Sequence, residues 1–143
     1  AYRFMNMENK RHLDARGRGE IIYDYNYDIL TFKIKDTKYK KSIEFQNFVA
    51  DIDSEDFVTG VRIFDASKVF GMDKYVLQSI VHCEFKSSIE NNVITIIFKF
   101  SAKIRNKILP LISTEENFTQ QITTPIGEKL HLQDSSVECP MGT

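Results

Sequence analysis

From residue 20 onward the chain alternates apolar and polar residues in segments of strand length. In ILTFKIK (29–35), Leu30, Phe32 and Ile34 fall on one side, and the intervening threonine and lysines fall on the other. Successive side chains of a strand point to opposite faces of its sheet. The pattern therefore predicts a strand with one buried and one solvated face, which is typical of antiparallel sheets.

Several segments of the first half fit this pattern and are separated by short turns. They are EIIYDY (20–25), ILTFKIK (29–35), SIEF (42–45), FVADI (48–52) and FVTGVRIF (57–64). Strands at this spacing predict sequential hairpins, and so an antiparallel meander, rather than strand–helix–strand units.

A helical segment is predicted between two β blocks. In DASKVFG, Asp65 and Ser67 are residue types that cap helix N-termini, and Gly71 is a natural C-terminal cap. We interpret these three residues as structural capping rather than as a catalytic site. In MDKYVLQSIV the helical spacing of apolar residues after Asp73 predicts a helix within 72–82.

The second β block is expected over residues 83–137. VHCEFKSSIE, the turn Asn91-Asn92 and VITIIFKFSAKI predict a long hairpin, with residues 94, 96, 98 and 100 on one face. FTQQIT (118–123) and EKLHLQ (128–133) are weaker strand candidates.

The whole pattern predicts a β-rich α+β fold: an antiparallel meander, one short helix and a second antiparallel β block. We expect one globular domain over residues 20–143, with the meander at 20–71. Residues 1–19 lack periodicity and are expected to form a flexible arm, part of which could come from an expression vector.

Composition narrows the function classes. Hydrophobic residues make up 42% and charged residues 27%, as in ordinary globular proteins, and the net charge of −1 is unlike that of a dedicated nucleic-acid binder. No apolar run reaches the roughly 18 residues that span a bilayer. Cys83 and Cys139 lack a tight spacing, which favours a reducing, cytoplasmic location over a disulfide between them.

The order of several motifs resembles a known family. YDYNYDILTFKIKD and FVADIDSEDFVTGVRIFDAS, within residues 20–71, resemble the bacterial and archaeal family called domain of unknown function 2283. Its members share the Tyr-Asp turn, the acidic strand and the terminal Asp-Ala-Ser, whereas Arg62 stands where a glutamate is common. The resemblance implies the meander, supplies no catalytic residue, and suggests a small partner or antitoxin-like protein.

Metal and cofactor sites are not predicted. Asp51, Asp53 and Glu55 alternate like calcium ligands, but Asp56 occupies the position of the glycine that an EF-hand loop requires, so a solvated turn is favoured. His82 and Cys83 are neighbours that a strand would point to opposite faces. The sequence contains no nucleophile elbow, phosphate-binding loop or dinucleotide glycine pattern.

A basic stripe is the candidate nucleic-acid contact. Lys103, Arg105 and Lys107 alternate, so an extended chain would align them on one face, where they could meet phosphates. Lysines on strand edges also discourage aggregation, and we favour that interpretation, so nucleic acid is an unlikely partner.

Three functional hypotheses remain open. Apolar Phe64 and Ile97 on otherwise outward faces indicate a second covered surface, so the leading hypothesis is a non-enzymatic protein-binding module that forms a homodimer. The second is a nucleic-acid-binding module that uses the basic stripe. The third is a small enzyme with an acidic pocket formed by Asp51, Asp53 or Asp65.

Overall fold

The computed structural model describes residues 12–15, 18–105, 108, 113–126 and 132–139. The strands within these residues are β1 (His12–Ala15), β2 (Gly19–Asp24), β3 (Ile29–Ile34), β4 (Tyr39–Glu44), β5 (Phe48–Asp53), β6 (Val58–Ile63), β7 (Ile80–Glu90), β8 (Val93–Arg105), β9 (Ser113–Pro125) and β10 (Asp134–Cys139). The helices are α1 (Ala66–Phe70) and α2 (Lys74–Gln78). The protein is therefore β-rich, as predicted, with short helices between two groups of strands.

The strand order of the first sheet shows that the predicted meander is wrong. Its order is β2-β3-β6-β5-β4, so β3 pairs with β6 instead of β4, and β3 to β6 form a Greek key. The physical reason lies in burial: nearly every residue of β6 is buried, which suits a central strand. The half-exposed β4 carries Lys40 and Lys41, which suit an edge.

The second sheet has the order β1-β10-β7-β8-β9. The predicted β7–β8 hairpin is confirmed, and Asn91 and Asn92 both have positive φ, as a tight hairpin turn requires. The strand predicted at 128–133 falls mostly outside the described residues, and β10 begins at Asp134 instead. Residues 12–15 of the predicted flexible arm form β1, parallel to β10.

The helical segment is shorter than predicted. α2 ends at Gln78 and β7 begins at Ile80, so the last residues of the predicted 72–82 helix belong to a strand. Asp73 occupies the N-cap position of α2, and Leu77 is the residue that α2 buries. β-Branched residues at 80 and 81 favour the extended conformation that follows.

The inner faces of the two sheets share one core. Leu30, Phe32 and Ile34 are buried, which confirms the face predicted from the alternation in β3. The ring of Phe32 lies 5.2 Å from that of Phe98, centroid to centroid. At one end Ser135 Oγ donates a 2.6 Å hydrogen bond to the Val58 carbonyl, which joins β10 to β6. Among the described helices, none is long and apolar enough to cross a bilayer.

Candidate functional site

The predicted capping triplet meets a buried carboxylate from a distant turn. Asp28, in the β2–β3 turn, is only 6% exposed. Its Oδ2 accepts a 2.6 Å hydrogen bond from the Ser67 hydroxyl, and its Oδ1 accepts a 3.0 Å bond from the Ser67 N–H. The Tyr23 hydroxyl donates to the same Oδ1 at 2.7 Å. Ser67 and Tyr23 therefore clamp one carboxylate between β2 and α1.

The roles within the triplet differ from those that local sequence suggests. Asp65 occupies the N-cap position of α1, but its φ of 52° is left-handed and its side chain makes no capping hydrogen bond. Ser67 lies inside α1, and its N–H is bonded by Asp28 instead. Gly71 lies at the C-cap with a φ of 61°, and its N–H reaches the carbonyl of Lys68. The remote residue Asp28 thus performs the capping that Asp65 was expected to perform.

Hydrogen bonding decides the ionisation of this cluster. Burial raises the pKa of the Asp28 carboxyl, but the bonds from Ser67 and Tyr23 and the nearby charge of Lys74 outweigh it, so the pKa is lowered from its ordinary value. Burial and the bond to Asp28 raise the pKa of Tyr23 well above its usual range. The cluster is therefore a charged carboxylate held by neutral donors, an arrangement that stabilises the junction between the hairpin and α1.

The two described residues of the basic stripe share an outer face with an acid. Lys103 and Arg105 are exposed on β8, and Lys107 lies outside the described residues. Lys103 pairs in register with Glu115 of β9, and Arg105 pairs with Ser113. A carboxylate directly across the strands offsets the positive charge of Lys103 and weakens the case for a phosphate contact.

The carboxylates proposed for an acidic pocket occupy three different environments. Asp51 Oδ1 forms an ion pair with Arg62, whose Nη2 atom lies 2.9 Å away. Asp53 Oδ1 accepts the N–H groups of Glu55 and Phe57 and so closes the β5–β6 turn. Asp65 is exposed beside α1. The structure therefore does not bring these three acids together.

His82 and Cys83 lie on β7, next to β10 in the second sheet. His82 Nε2 lies 3.8 Å from a carboxylate oxygen of Glu138. In the described part of the chain no three His, Cys, Asp or Glu side chains form a metal-binding group. Cys83 and Cys139 are register partners on β7 and β10. Only the strand register, which a single sequence does not show, could have revealed that relation.

Among the edge strands that the structure describes, β9 is the longest. All 13 residues of Ser113–Pro125 pair with β8 in continuous antiparallel register. Within the described residues β9 has a neighbouring strand on one side only. Its inward Phe118 and Ile122 pack against the core but are only partly buried. The outer edge of β9 therefore offers backbone donors and acceptors to an incoming strand.

Comparisons with known proteins agree with the motif resemblance. The model of the family described as "protein of unknown function (DUF2283)" matches residues 20–67. That segment begins at the second residue of β2, contains β3 to β6 and ends at Ser67, so the matched unit includes the Asp28–Ser67 contact. The family description assigns no activity to these residues.

Two curated archaeal proteins are similar over a longer stretch. An uncharacterised protein of Methanocaldococcus jannaschii is 33% identical over 89 residues, which cover 62% of this chain and 77% of that protein. A Methanosarcina mazei protein, provisionally named a hypoxanthine phosphoribosyltransferase, is 30% identical over 87 residues, which cover 61% of this chain and 71% of that protein. No solved structure gives a significant match.

Proposed function

The chain belongs to the family that these two archaeal proteins share, and from that premise we propose that it is a non-enzymatic protein-binding module, regulatory or antitoxin-like, that forms a homodimer through β9. The observation that carries this proposal is the exposed outer edge of β9. A long, regular edge strand is an aggregation hazard unless another strand covers it.

The edge strand β4 carries lysines and a register irregularity that β9 lacks. β4 is six residues long, contains Lys40 and Lys41, and has a register irregularity against β5 between Tyr39 and Lys41. β9 contains no lysine or arginine, and its register with β8 is unbroken. This difference supports the proposal that another strand pairs with the outer edge of β9.

A second copy of β9 fits the edge better than a random strand. In an antiparallel pair centred on Thr119, the residue Glu115 would face Thr123, and Glu116 would face Ile122. Two threonines would meet at the two-fold axis, a favourable cross-strand pair, and no like charges would oppose each other. The resulting sheet would contain both copies of the second sheet and would cover Phe118 and Ile122.

Analytical ultracentrifugation of the full chain tests the proposal. The native chain should sediment as a dimer, and Thr119→Lys should sediment as a monomer because two ammonium groups would face each other on the axis. Ser88→Lys is the matched control, since Ser88 is exposed on the central strand β7 of the same sheet. A monomeric native chain, or a Thr119→Lys variant that remains a dimer, would overturn the proposal.

The name of the Methanosarcina mazei relative raises one enzymatic alternative, transfer of a phosphoribosyl group to hypoxanthine. The sequence contains no phosphate-binding glycine loop, so the residues themselves do not favour it. Assaying the purified chain for that transfer separates the two proposals. If the native chain catalyses the transfer, and Thr119→Lys loses both the dimer and that activity, the chain is an enzyme.

A further inference from the structure

A hollow of about 300 Å³ opens on the outer face of the first sheet. Its charged lining and floor, which define the Gly60 hollow, are Glu20, Lys33, Lys35, Asp36, Asp51 and Gly60. Strand register explains the position, because Lys33 of β3 and Asp51 of β5 flank Gly60 of the central strand β6. A residue without a side chain thus separates a cation from an anion.

Close packing around the floor leaves little room for a side chain at position 60. A Cβ atom at position 60 would lie 3.2 Å from Asp51 Oδ2 and 3.3 Å from Lys33 Cβ. Any larger residue would fill the space between the two side chains. Gly60 is itself buried and forms the floor of the hollow, where an added Cβ atom would crowd Asp51 and Lys33.

The carboxylate of Asp51 is held in one orientation. Its Oδ1 accepts hydrogen bonds from Arg62 at 2.9 Å and from the Ser42 hydroxyl at 2.7 Å. The Ser42 hydroxyl lies 2.6 Å from that of Tyr39, which extends the network to the rim of the hollow. Oδ2 is left toward Gly60 and accepts no hydrogen bond from the described residues. It is a preorganised acceptor for a ligand.

The opposite wall supplies a positive group. Lys33 is half-buried and faces Glu20 of β2 in register, but it forms no ion pair within the described part of the chain. It lies two strands from Asp51, which is roughly 10 Å between Cα atoms. Because both charges border the same open space, a small molecule with an ammonium group at one end and a carboxylate at the other could contact both at once.

We propose that the Gly60 hollow binds a small zwitterion, with its ammonium on Asp51 Oδ2 and its carboxylate on the Lys33 ammonium. This site is separate from β9 and goes beyond the proposed dimer. Its lining carries both signs of charge, with Lys33 and Lys35 beside the carboxylates of Glu20, Asp36 and Asp51, which suits a ligand that also carries both signs.

Nuclear magnetic resonance of the ¹⁵N-labelled full chain tests the site with three matched probes. 4-Aminobutyrate carries both charges, n-butylamine carries only the ammonium, and butyrate carries only the carboxylate. 4-Aminobutyrate should give saturable shifts at the amides of Gly60, Asp51 and Lys33, and the other two probes should bind roughly tenfold more weakly or worse. An equal response to either single-charge probe, or no saturable shift with 4-aminobutyrate, would overturn the proposal.

Variants separate binding in the hollow from a general surface effect. Asp51→Asn and Gly60→Ala should each weaken 4-aminobutyrate binding by about tenfold or more, because the first removes the negative charge that faces the ammonium and the second adds a methyl group at the floor. Lys33→Met leaves the Asp51 network in place and should weaken the same binding if either of those variants fails to fold. Glu44→Gln, an exposed carboxylate on β4, is the control and should bind normally. Undiminished binding by Lys33→Met would overturn the assignment.

Discussion

The hydroxyl of Ser67 donates a 2.6 Å hydrogen bond to the carboxylate of Asp28, which lies 39 residues earlier in the chain. The carbonyl of Asp28 also accepts the N–H of Ala66, at 3.0 Å. Backbone and side chain of one turn residue thus fix the start of α1 against the β2–β3 hairpin. Tyr23, Asp28 and Ser67 all lie within the family-matched segment, so this junction ties the end of that segment to its first hairpin.

Loss of the Asp28 charge should destabilise the fold. Asp28→Asn keeps the shape and tolerates the φ of 56°, but it removes the charge that three donors share. We expect the free energy of unfolding to fall by about 1.5–3 kcal/mol, the range for hydrogen bonds to a charged group. Urea denaturation measures this change.

Asp65→Asn provides the control for that measurement. It makes the same chemical change at a second aspartate with positive φ, but Asp65 makes no capping bond. Its effect should stay within about 0.5 kcal/mol. If Asp65→Asn costs as much as Asp28→Asn, the assignment of the cap to Asp28 is wrong.

The same carboxylate should make stability depend on pH. The folded-state pKa of Asp28 is lowered, so the folded protein binds its proton less readily than the unfolded chain, whose Asp pKa is about 3.9. Its stabilising contribution is fully present above that unfolded pKa and is lost as the pH falls through the folded pKa. Denaturation curves from pH 7 to acid should therefore converge for the native chain and Asp28→Asn; a constant difference would contradict this.

Local patterns predicted the strands well because the buried face of a strand shows as alternating apolar and polar residues within that strand. Leu30, Phe32 and Ile34 revealed the inner face of β3 without knowledge of its partners. The Asn91-Asn92 turn likewise indicated a hairpin whose two strands are adjacent in sequence. Alternation does not encode which strands pair across longer separations, so the placement of β6 beside β3 could not be derived.

The candidate sites depended on such long-range contacts. From the sequence alone, Asp28 cannot be told from an ordinary turn residue, because the groups it bonds in α1 are 39 residues away. Asp65 was predicted to cap α1 because aspartate is a common N-cap residue. Its backbone is left-handed, however, and its side chain makes no capping hydrogen bond. The Gly60 hollow required three strands in register before Lys33 and Asp51 could flank one glycine.

The inner-face aromatic contact should dominate stability. Phe98 is fully buried and its ring lies near those of Phe32 and Phe70. Phe98→Ala should cost about 3–5 kcal/mol because it leaves a cavity between the sheets. Phe64→Ala, at a residue that is 40% exposed, should cost less than about 1 kcal/mol in the same urea titration. Equal losses would contradict the assignment of Phe98 to the shared core.

The Arg62–Asp51 ion pair should be weak but measurable. Both side chains are partly exposed, so solvent screening limits the pair to about 0.5–1 kcal/mol of coupling. A double-mutant cycle with Asp51→Asn and Arg62→Met isolates that coupling energy from the separate effect on packing. High salt should reduce it, because screening acts on exposed charges. Arg62→Glu should lose more stability than Arg62→Met, since it places a second carboxylate beside Asp51; equal stability of the two variants would show that charge at position 62 does not matter to the sheet.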